Sequence, residues 1–169
     1  MAKEFNTEVT CDPKLHFMVD TTNKMKVFER LIERKKYFTI NRARQFGKST
    51  SLKWIYTHLN GEYLVVSLSF EDTEDSDWEN ASTFYHFFCR YMVKAFTSGR
   101  TQNEQNASFW KDAQNVEKPS IKDLSDRITE FCQQGTKKAV VLIDEVDKSL
   151  DNELFLNFLA IRLLYQDKD

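Results

Sequence analysis

Apolar residues recur along this chain in two patterns that alternate with each other. Helical spacing of about 3.6 residues predicts helices from Thr22 or Asn23 to the basic run 34–36 and at 48–59, 82–97, 120–135 and 154–169. Short apolar runs rich in aromatic and β-branched side chains predict strands at 37–40, 63–70 and 139–143. This alternation indicates an α/β fold with a mainly parallel sheet flanked by helices.

Two further stretches bear on how the chain packs. Aromatic and apolar residues at 84, 88, 92 and 96 form a stripe that could stack on bases, but the pattern favours core packing. The polar stretch 97–119 predicts a long, mobile surface loop. After it, Ser120 and Asp123 have the spacing of a capping pair, and Gly135 is a plausible helix stop.

Length and composition predict a single globular domain covering residues 1–169. The chain has 169 residues, 41% of them hydrophobic and 14% aromatic, and a formal net charge of −2. Its three cysteines, Cys11, Cys89 and Cys132, are far apart and form no Cys-x-x-Cys pair, so reduced thiols are favoured over disulfides or zinc ligands. Without a signal-like start or an apolar run near the roughly 20 residues of a membrane span, a cytoplasmic chain with no membrane partner is expected.

The segment NRARQFGKST, residues 41–50, lies between a predicted strand and a predicted helix. A loop that opens a helix presents backbone N–H groups at the positive end of the helix dipole, where phosphates bind. Gly47 suits a backbone conformation that other residues resist, Lys48 suits the β and γ phosphates, and the Ser49 hydroxyl suits Mg²⁺. Gly-Lys-Ser alone is weak evidence, because it occurs by chance in roughly one such chain in ten or twenty.

The segment VVLIDEVD, residues 140–147, supplies a second and independent signal. Its apolar strand ends in Asp144 and Glu145, at the sheet edge where ligands bind in open α/β folds. Asp144 would hold the Mg²⁺ hydration shell, and Glu145 would polarise a water for attack on the γ phosphorus. The alternative is a strand that ends in solvated acids, and for Asp147 an exposed loop carboxylate is the favoured interpretation.

Arg42 stands where a phosphate loop usually has its first glycine. A residue other than glycine is tolerated there if its φ is negative, since this position mainly affects the turn out of the strand. Arg42 and Arg44 would add positive charge near a polyphosphate, although arginines beside a basic helix are often only solvated.

Together, YFTINRARQFGKST, VVSLSF and VVLIDEVD resemble the AAA-ATPase-like family of prokaryotic P-loop proteins, and HFMVD at 16–20 is similar to the family as well. The family's loop commonly reads Arg-Pro-Arg before an aromatic residue and Gly-Lys, so Ala43 departs from it. The resemblance implies a P-loop NTPase fold of the ASCE/AAA type, with ATP and Mg²⁺ as cofactors. The candidate nucleotide-binding residues are Arg44, Gln45, Phe46, Gly47, Lys48, Ser49 and Thr50; the candidate metal ligands are Ser49 and Asp144; the candidate catalytic residues are Lys48 and Glu145.

In the family, an extra strand with a polar sensor residue follows the paired-acid motif and lies between the loop strand and the acid strand. The sequence ends at Asp169 before such a strand, which leads us to expect an N-terminal portion of a longer protein. Without that strand, the backbone N–H and C=O groups of its two neighbouring strands would lack hydrogen bonds, and each such group would cost about 1–3 kcal/mol of stability if buried. Family members often carry a nuclease-like C-terminal domain, and no nuclease activity is assigned to this chain.

These motifs support two main functional hypotheses, of which the first is favoured. The first is an ATPase that couples hydrolysis to a conformational change. The second is a nucleotide-gated module that changes a protein partner or its own oligomeric state with little or no turnover, or an inactive remnant. A GTPase is disfavoured by the absence of an Asn-Lys-x-Asp motif, and a kinase by the paired acids. Nucleic-acid binding through the basic stretch 30–53 is offset by the acidic stretch 71–79.

Overall fold

A computed structural model of the chain describes residues 14, 16, 17, 22–40, 47–99, 101–146 and 152–166. The chain forms two compact units, Met1–Asn60 and Gly61–Asp169, and each is described by itself. The single domain expected from length stays a prediction. None of the described helices is both long enough and apolar enough to cross a bilayer.

The described residues of the first unit form two helices, α1 at Thr22–Glu33 and α2 at Lys48–Leu59. Both agree with the predicted bounds. The apolar face of α1 is directed inward, with Met25 buried. At its end, Lys35 adopts a positive φ of 54° while the Lys36 N–H donates to the Leu31 carbonyl at 2.8 Å. The helix thus ends at Glu33, and the left-handed cap lies within the basic run that follows it.

The prediction of a strand at residues 37–40 is wrong, because the segment has no regular secondary structure. Its main ordered contact is aromatic: the Phe38 ring stacks on Phe28 of α1, with centroids 5.6 Å apart. A strand needs a hydrogen-bonded neighbour, and no strand in the described part of the chain pairs with this one. Phe38 therefore packs on a helix, while Tyr37 of the same segment is 46% exposed.

The second unit combines a short parallel sheet with four helices. Strands β1 (Leu64–Ser69) and β2 (Ala139–Asp144) pair in parallel, and their register aligns Val66 with Val141 and Ser69 with Asp144. A 3₁₀ helix at Asp75–Trp78 leads to helix α3, and three further helices follow among the described residues of this unit. The helices are α3 (Ala81–Thr97), α4 (Glu104–Ala113), α5 (Ile121–Gln134) and α6 (Glu153–Gln166).

The aromatic stripe of α3 is the core of the second unit, which confirms the packing interpretation. Every residue of the predicted stripe is buried: Phe84, Phe88, Met92 and Phe96. Phe70, which directly follows β1, is 0% exposed and makes edge contacts with Phe87 at 5.1 Å and Phe155 at 6.0 Å between centroids. Strand end, α3 and α6 are thereby packed around one ring.

The prediction of a long loop at 97–119 is wrong over its central part, which forms α4. Asn103 caps the helix by accepting a hydrogen bond from the Asn106 N–H at 2.9 Å. Ala107, Trp110 and Ala113, three residues apart, form its buried face. This apolar face is narrow and two of its three residues are alanines, so the helix is hard to recognise in a segment that is mostly polar.

Helix α5 begins as its sequence predicts. Ser120 and Asp123 form a capping box in which the Ser120 N–H donates to Asp123 Oδ2 at 2.7 Å and the Asp123 N–H donates to Ser120 Oγ at 3.2 Å. The Ser120 hydroxyl also donates to Asp123 Oδ2, at 2.6 Å, and this bond, together with the one from the Ser120 N–H, lowers the pKa of the Asp123 carboxyl below its usual value. Farther along α5, Arg162 of α6 donates to the Ser125 carbonyl and to Thr129 Oγ1, which joins the two helices through partly buried polar groups.

We expect Trp110→Ala to lower the free energy of unfolding by about 3–5 kcal/mol, because the indole is 0% exposed and its removal leaves a large cavity. Urea denaturation followed by circular dichroism measures the change. The matched control is Val116→Ala, just beyond α4, whose side chain is 41% exposed and whose loss should cost less than about 0.5 kcal/mol. Equal effects of the two substitutions would contradict the packing of α4.

Candidate functional site

Gly47 opens α2 in a conformation that favours glycine. Its φ of 78° and ψ of 27° lie in the left-handed region. The Ser51 N–H and the Ser51 hydroxyl both donate to the Gly47 carbonyl, at 2.9 and 2.8 Å. Ser51 is buried, so the carbonyl of Gly47 is held from two directions and the start of the helix is well defined.

Lys48, Ser49 and Thr50 form the first turn of α2 and are half-buried. The helix begins without a hydrogen bond from a side-chain cap and without an acidic residue in its first turn. First-turn amides have no partner within their own helix, and the helix dipole adds a partial positive charge there. The N-terminus of α2 thus combines positive potential, a lysine and two hydroxyl groups, which suits an anion such as a phosphate.

The rest of the predicted loop lies outside the described residues, including Arg42, Arg44, Gln45 and Phe46. Asp147, near the second motif, lies outside them as well. The candidate site in the first unit therefore consists of Gly47 and the first turn of α2.

Asp144 and Glu145 occupy the carboxyl end of β2 in the second unit, where the sequence places them. Asp144 is the last residue of the strand, and its Oδ1 accepts a hydrogen bond from the Glu145 N–H at 2.9 Å. Glu145 has a φ of 55°, a left-handed conformation that is uncommon for a residue with a side chain. Such strain is often found at functional sites. Both side chains are half-buried.

The register adds Ser69, a residue that sequence reasoning missed. Ser69 ends β1 opposite Asp144 and is exposed, so a hydroxyl and a carboxylate share one face at the carboxyl edge of the sheet. The Ser69 hydroxyl accepts a hydrogen bond from the Glu71 N–H at 3.3 Å. The sequence did show a polar residue at the end of an apolar strand. Its position beside Asp144, however, follows only from the register in which β1 and β2 pair.

Hydroxyl and carboxylate oxygens are the donors that Mg²⁺ prefers, and Mg²⁺ usually keeps several waters instead of a full set of protein ligands. Ser49 and Asp144 fit this donor chemistry. Within the described ranges, no group of three or more His, Cys, Asp or Glu side chains could hold a metal ion by itself. A weakly held, nucleotide-dependent Mg²⁺ is compatible with these residues, and a dedicated metal cage of such side chains is not present among them.

The two candidate motifs belong to different compact units, Gly47 and Lys48 to the first and the acidic pair to the second. Comparisons with protein-family models, curated proteins and solved structures give no match. The resemblance to AAA-ATPase-like proteins thus rests on the motifs alone, and it stays a prediction.

We expect Gly47→Ala to lower the free energy of unfolding by about 1–2 kcal/mol, because a Cβ is disfavoured in the left-handed region. The control is Gly61→Ala, where an added Cβ meets nothing within 4 Å and φ is not positive. Chemical denaturation of both variants measures the difference. If Gly61→Ala is as destabilising as Gly47→Ala, the backbone assignment at the start of α2 is incorrect.

Proposed function

We propose that this chain binds ATP and hydrolyses it with Mg²⁺ to drive a conformational change. The single observation that carries the proposal is the start of α2, where a left-handed Gly47 leads directly into Lys48 and Ser49. A phosphate loop needs this local order: a glycine at the turn, then a cation and a hydroxyl in the first helical turn. The order follows from sequence and backbone geometry together.

In this proposal, the first-turn amides of α2 bind phosphate oxygens and the Lys48 ammonium neutralises the β and γ charges. No acidic side chain of the same turn competes for the anion. Thr50, next to Ser49, adds a second hydroxyl to this turn. Triphosphate affinity would therefore depend strongly on Lys48 and weakly on lysines farther along the helix.

The acidic pair supplies the catalytic part of the proposal. The Asp144 carboxylate is a candidate oxygen ligand of Mg²⁺, as is the Ser49 hydroxyl of the first unit, and the ion would neutralise developing charge on the phosphates. The Glu145 carboxylate would orient the attacking water and accept its proton. Its left-handed backbone at φ 55° is supported by the hydrogen bond that its N–H donates to Asp144 Oδ1.

A second candidate is nucleotide binding without turnover, in which ATP changes a protein partner or the oligomeric state. Its smaller requirement favours it, since binding needs only the first motif, with Gly47, Lys48 and Ser49 at the start of α2. Calorimetry with ATP beside a phosphate-release assay separates the candidates. The preference for adenine is supported only by the resemblance, and equal affinities for ATP and GTP would contradict it.

Lys48→Ala should weaken ATP binding by about ten- to a hundredfold, because it removes charge-assisted hydrogen bonds to phosphate. Isothermal titration calorimetry measures the dissociation constant. Lys53→Ala is the matched control, as Lys53 is an exposed lysine on the same helix and should bind ATP like the parent chain. Parent-like ATP binding by Lys48→Ala would show that the assignment of the site is wrong.

Glu145→Gln should leave ATP affinity within about twofold of the parent and lower the rate of phosphate release by about 10²–10⁴-fold, the usual contribution of a general base. The amide has nearly the same shape, so the backbone at this position is preserved. Ser67→Ala on β1, an exposed polar residue away from the strand end, serves as the control for the second unit. Unchanged turnover in Glu145→Gln would exclude this residue as the base.

A further inference from the structure

The charge of this chain is divided unevenly between its two compact units. Residues 1–60 have 12 Lys and Arg and 6 Asp and Glu, a formal net charge of +6, whereas residues 61–169 have 12 and 20, a net charge of −8. The acidic stretch 71–79 belongs to the second unit. Positions 22–60 hold ten Lys and Arg but only two acidic residues, Glu29 and Glu33. Such asymmetry between the halves of a chain is typical of proteins that bind a polyanion or an anionic surface.

Three of these cations form a line along helix α1, the basic stripe of Lys26, Arg30 and Arg34. Their four-residue spacing places them on one side of the helix. Arg34 directly follows the last helical residue, and its N–H donates to the Arg30 carbonyl at 3.2 Å, so the helical spacing extends to it. All three residues are exposed. At a rise of about 1.5 Å per residue, the stripe is about 12 Å long.

No acidic side chain among the described residues forms an ion pair with the basic stripe. Glu29 and Glu33 each lie three positions after one of its cations, a spacing at which ion pairs form on helices, but neither makes one. Arg30 donates from Nε to the Lys26 carbonyl at 3.3 Å, and its terminal NH₂ groups have no acceptor within the described part of the chain. The stripe therefore presents positive charge that these residues do not neutralise.

An exposed aromatic ring follows the stripe in the chain. Tyr37 comes three residues after Arg34 and is exposed, whereas the next ring, Phe38, stacks on Phe28 of α1. A row of cations together with an exposed aromatic ring is the combination with which proteins bind single-stranded nucleic acid, since the cations contact phosphates and a base stacks on the ring. Stacking of this kind requires an unpaired base, which an intact duplex does not offer.

We propose that the basic stripe and Tyr37 bind single-stranded nucleic acid, with the three cations on successive phosphates and the Tyr37 ring stacked on a base. At about 3.4 Å per nucleotide of a stacked strand, the stripe has the length of about three to four nucleotides. Phosphate contacts carry no sequence information, so the binding is independent of base sequence. It requires no ATP, because no residue of the stripe belongs to the candidate nucleotide site.

The burial pattern of α1 favours nucleic acid over an anionic membrane. A helix that lies in a membrane surface exposes a broad apolar face to the lipid. In α1 that face is directed into the protein, with Met25 buried and Phe28 and Leu31 half-buried. Among the exposed residues of the helix, Val27 is the only large apolar one. An acidic protein surface would match the charge as well, but it offers no base for the Tyr37 ring.

The first experiment measures the fluorescence anisotropy of a labelled oligothymidylate over a salt series, with no nucleotide added. Combining Lys26→Ala, Arg30→Ala and Arg34→Ala should raise the dissociation constant about ten- to a hundredfold at about 0.1 M salt. The slope of log affinity against log salt should become shallower by about 2, because each phosphate contact on a single strand contributes about 0.7. Circular dichroism verifies that the helices remain, which alanine favours.

The matched control removes the same charge from the second unit, through Lys94→Ala, Lys111→Ala and Lys138→Ala combined. All three lysines are exposed, so this variant should fold and bind the oligomer like the parent chain. The comparison separates a local binding surface from a general effect of net charge.

A pair of substitutions at Tyr37 tests the stacking. Tyr37→Ala should raise the dissociation constant about fivefold or more and leave the salt slope unchanged, because it removes a base contact and no charge. Tyr37→Phe keeps the aromatic face and should bind like the parent chain. This arm remains informative even if the triple variant of the stripe fails to fold.

Three results would overturn the proposal. The parent chain could leave the oligomer unbound at about 100 μM and low salt, where even non-specific binding to nucleic acid is observed. The stripe variant and the control variant could weaken binding equally. Vesicles that contain phosphatidylserine, or polyglutamate, could displace the oligomer at equal charge concentration while Tyr37→Ala has no effect, which would identify a membrane or an acidic protein as the occupant. ATP binding by the same protein preparations is measured separately, so the outcome is independent of the proposed function.

Discussion

The packing of aromatic rings around Phe70 is the interaction on which the second unit depends. Phe70 is fully buried between α3 and α6, and its N–H donates to the Asp144 carbonyl at 3.0 Å. The same residue thus anchors the sheet to the helices and aligns the ends of both strands. Because aromatic side chains bury large areas and pack in few orientations, a shift of α3 would move the carboxyl edge of the sheet with it. The position of Asp144 is in this sense a property of the core.

The two candidate motifs share a backbone feature, a left-handed residue where regular structure begins or ends. At Gly47 the conformation carries little cost, because glycine lacks a Cβ. At Glu145 it is strained, and the hydrogen bond from its N–H to the Asp144 side chain offsets part of that strain. A glycine at position 145 would satisfy the backbone better, but it would have no carboxylate. The presence of glutamate there favours a chemical role for its side chain over a purely structural one.

The sequence by itself determined the elements whose signal is local. Helical spacing located α1, α2, α3, α5 and α6, and the Ser120 and Asp123 pair marked the start of α5. Apolar runs located β1 and β2, the second of which ends in Asp144. Tertiary structure decided features that no local pattern indicated. Residues 37–40 have strand composition but no described partner, α4 owes its order to a Trp110 that fills the core, and Ser69 meets Asp144 only through the register. Strand pairing and burial depend on residues far away in the chain, so no local pattern of residues can specify them.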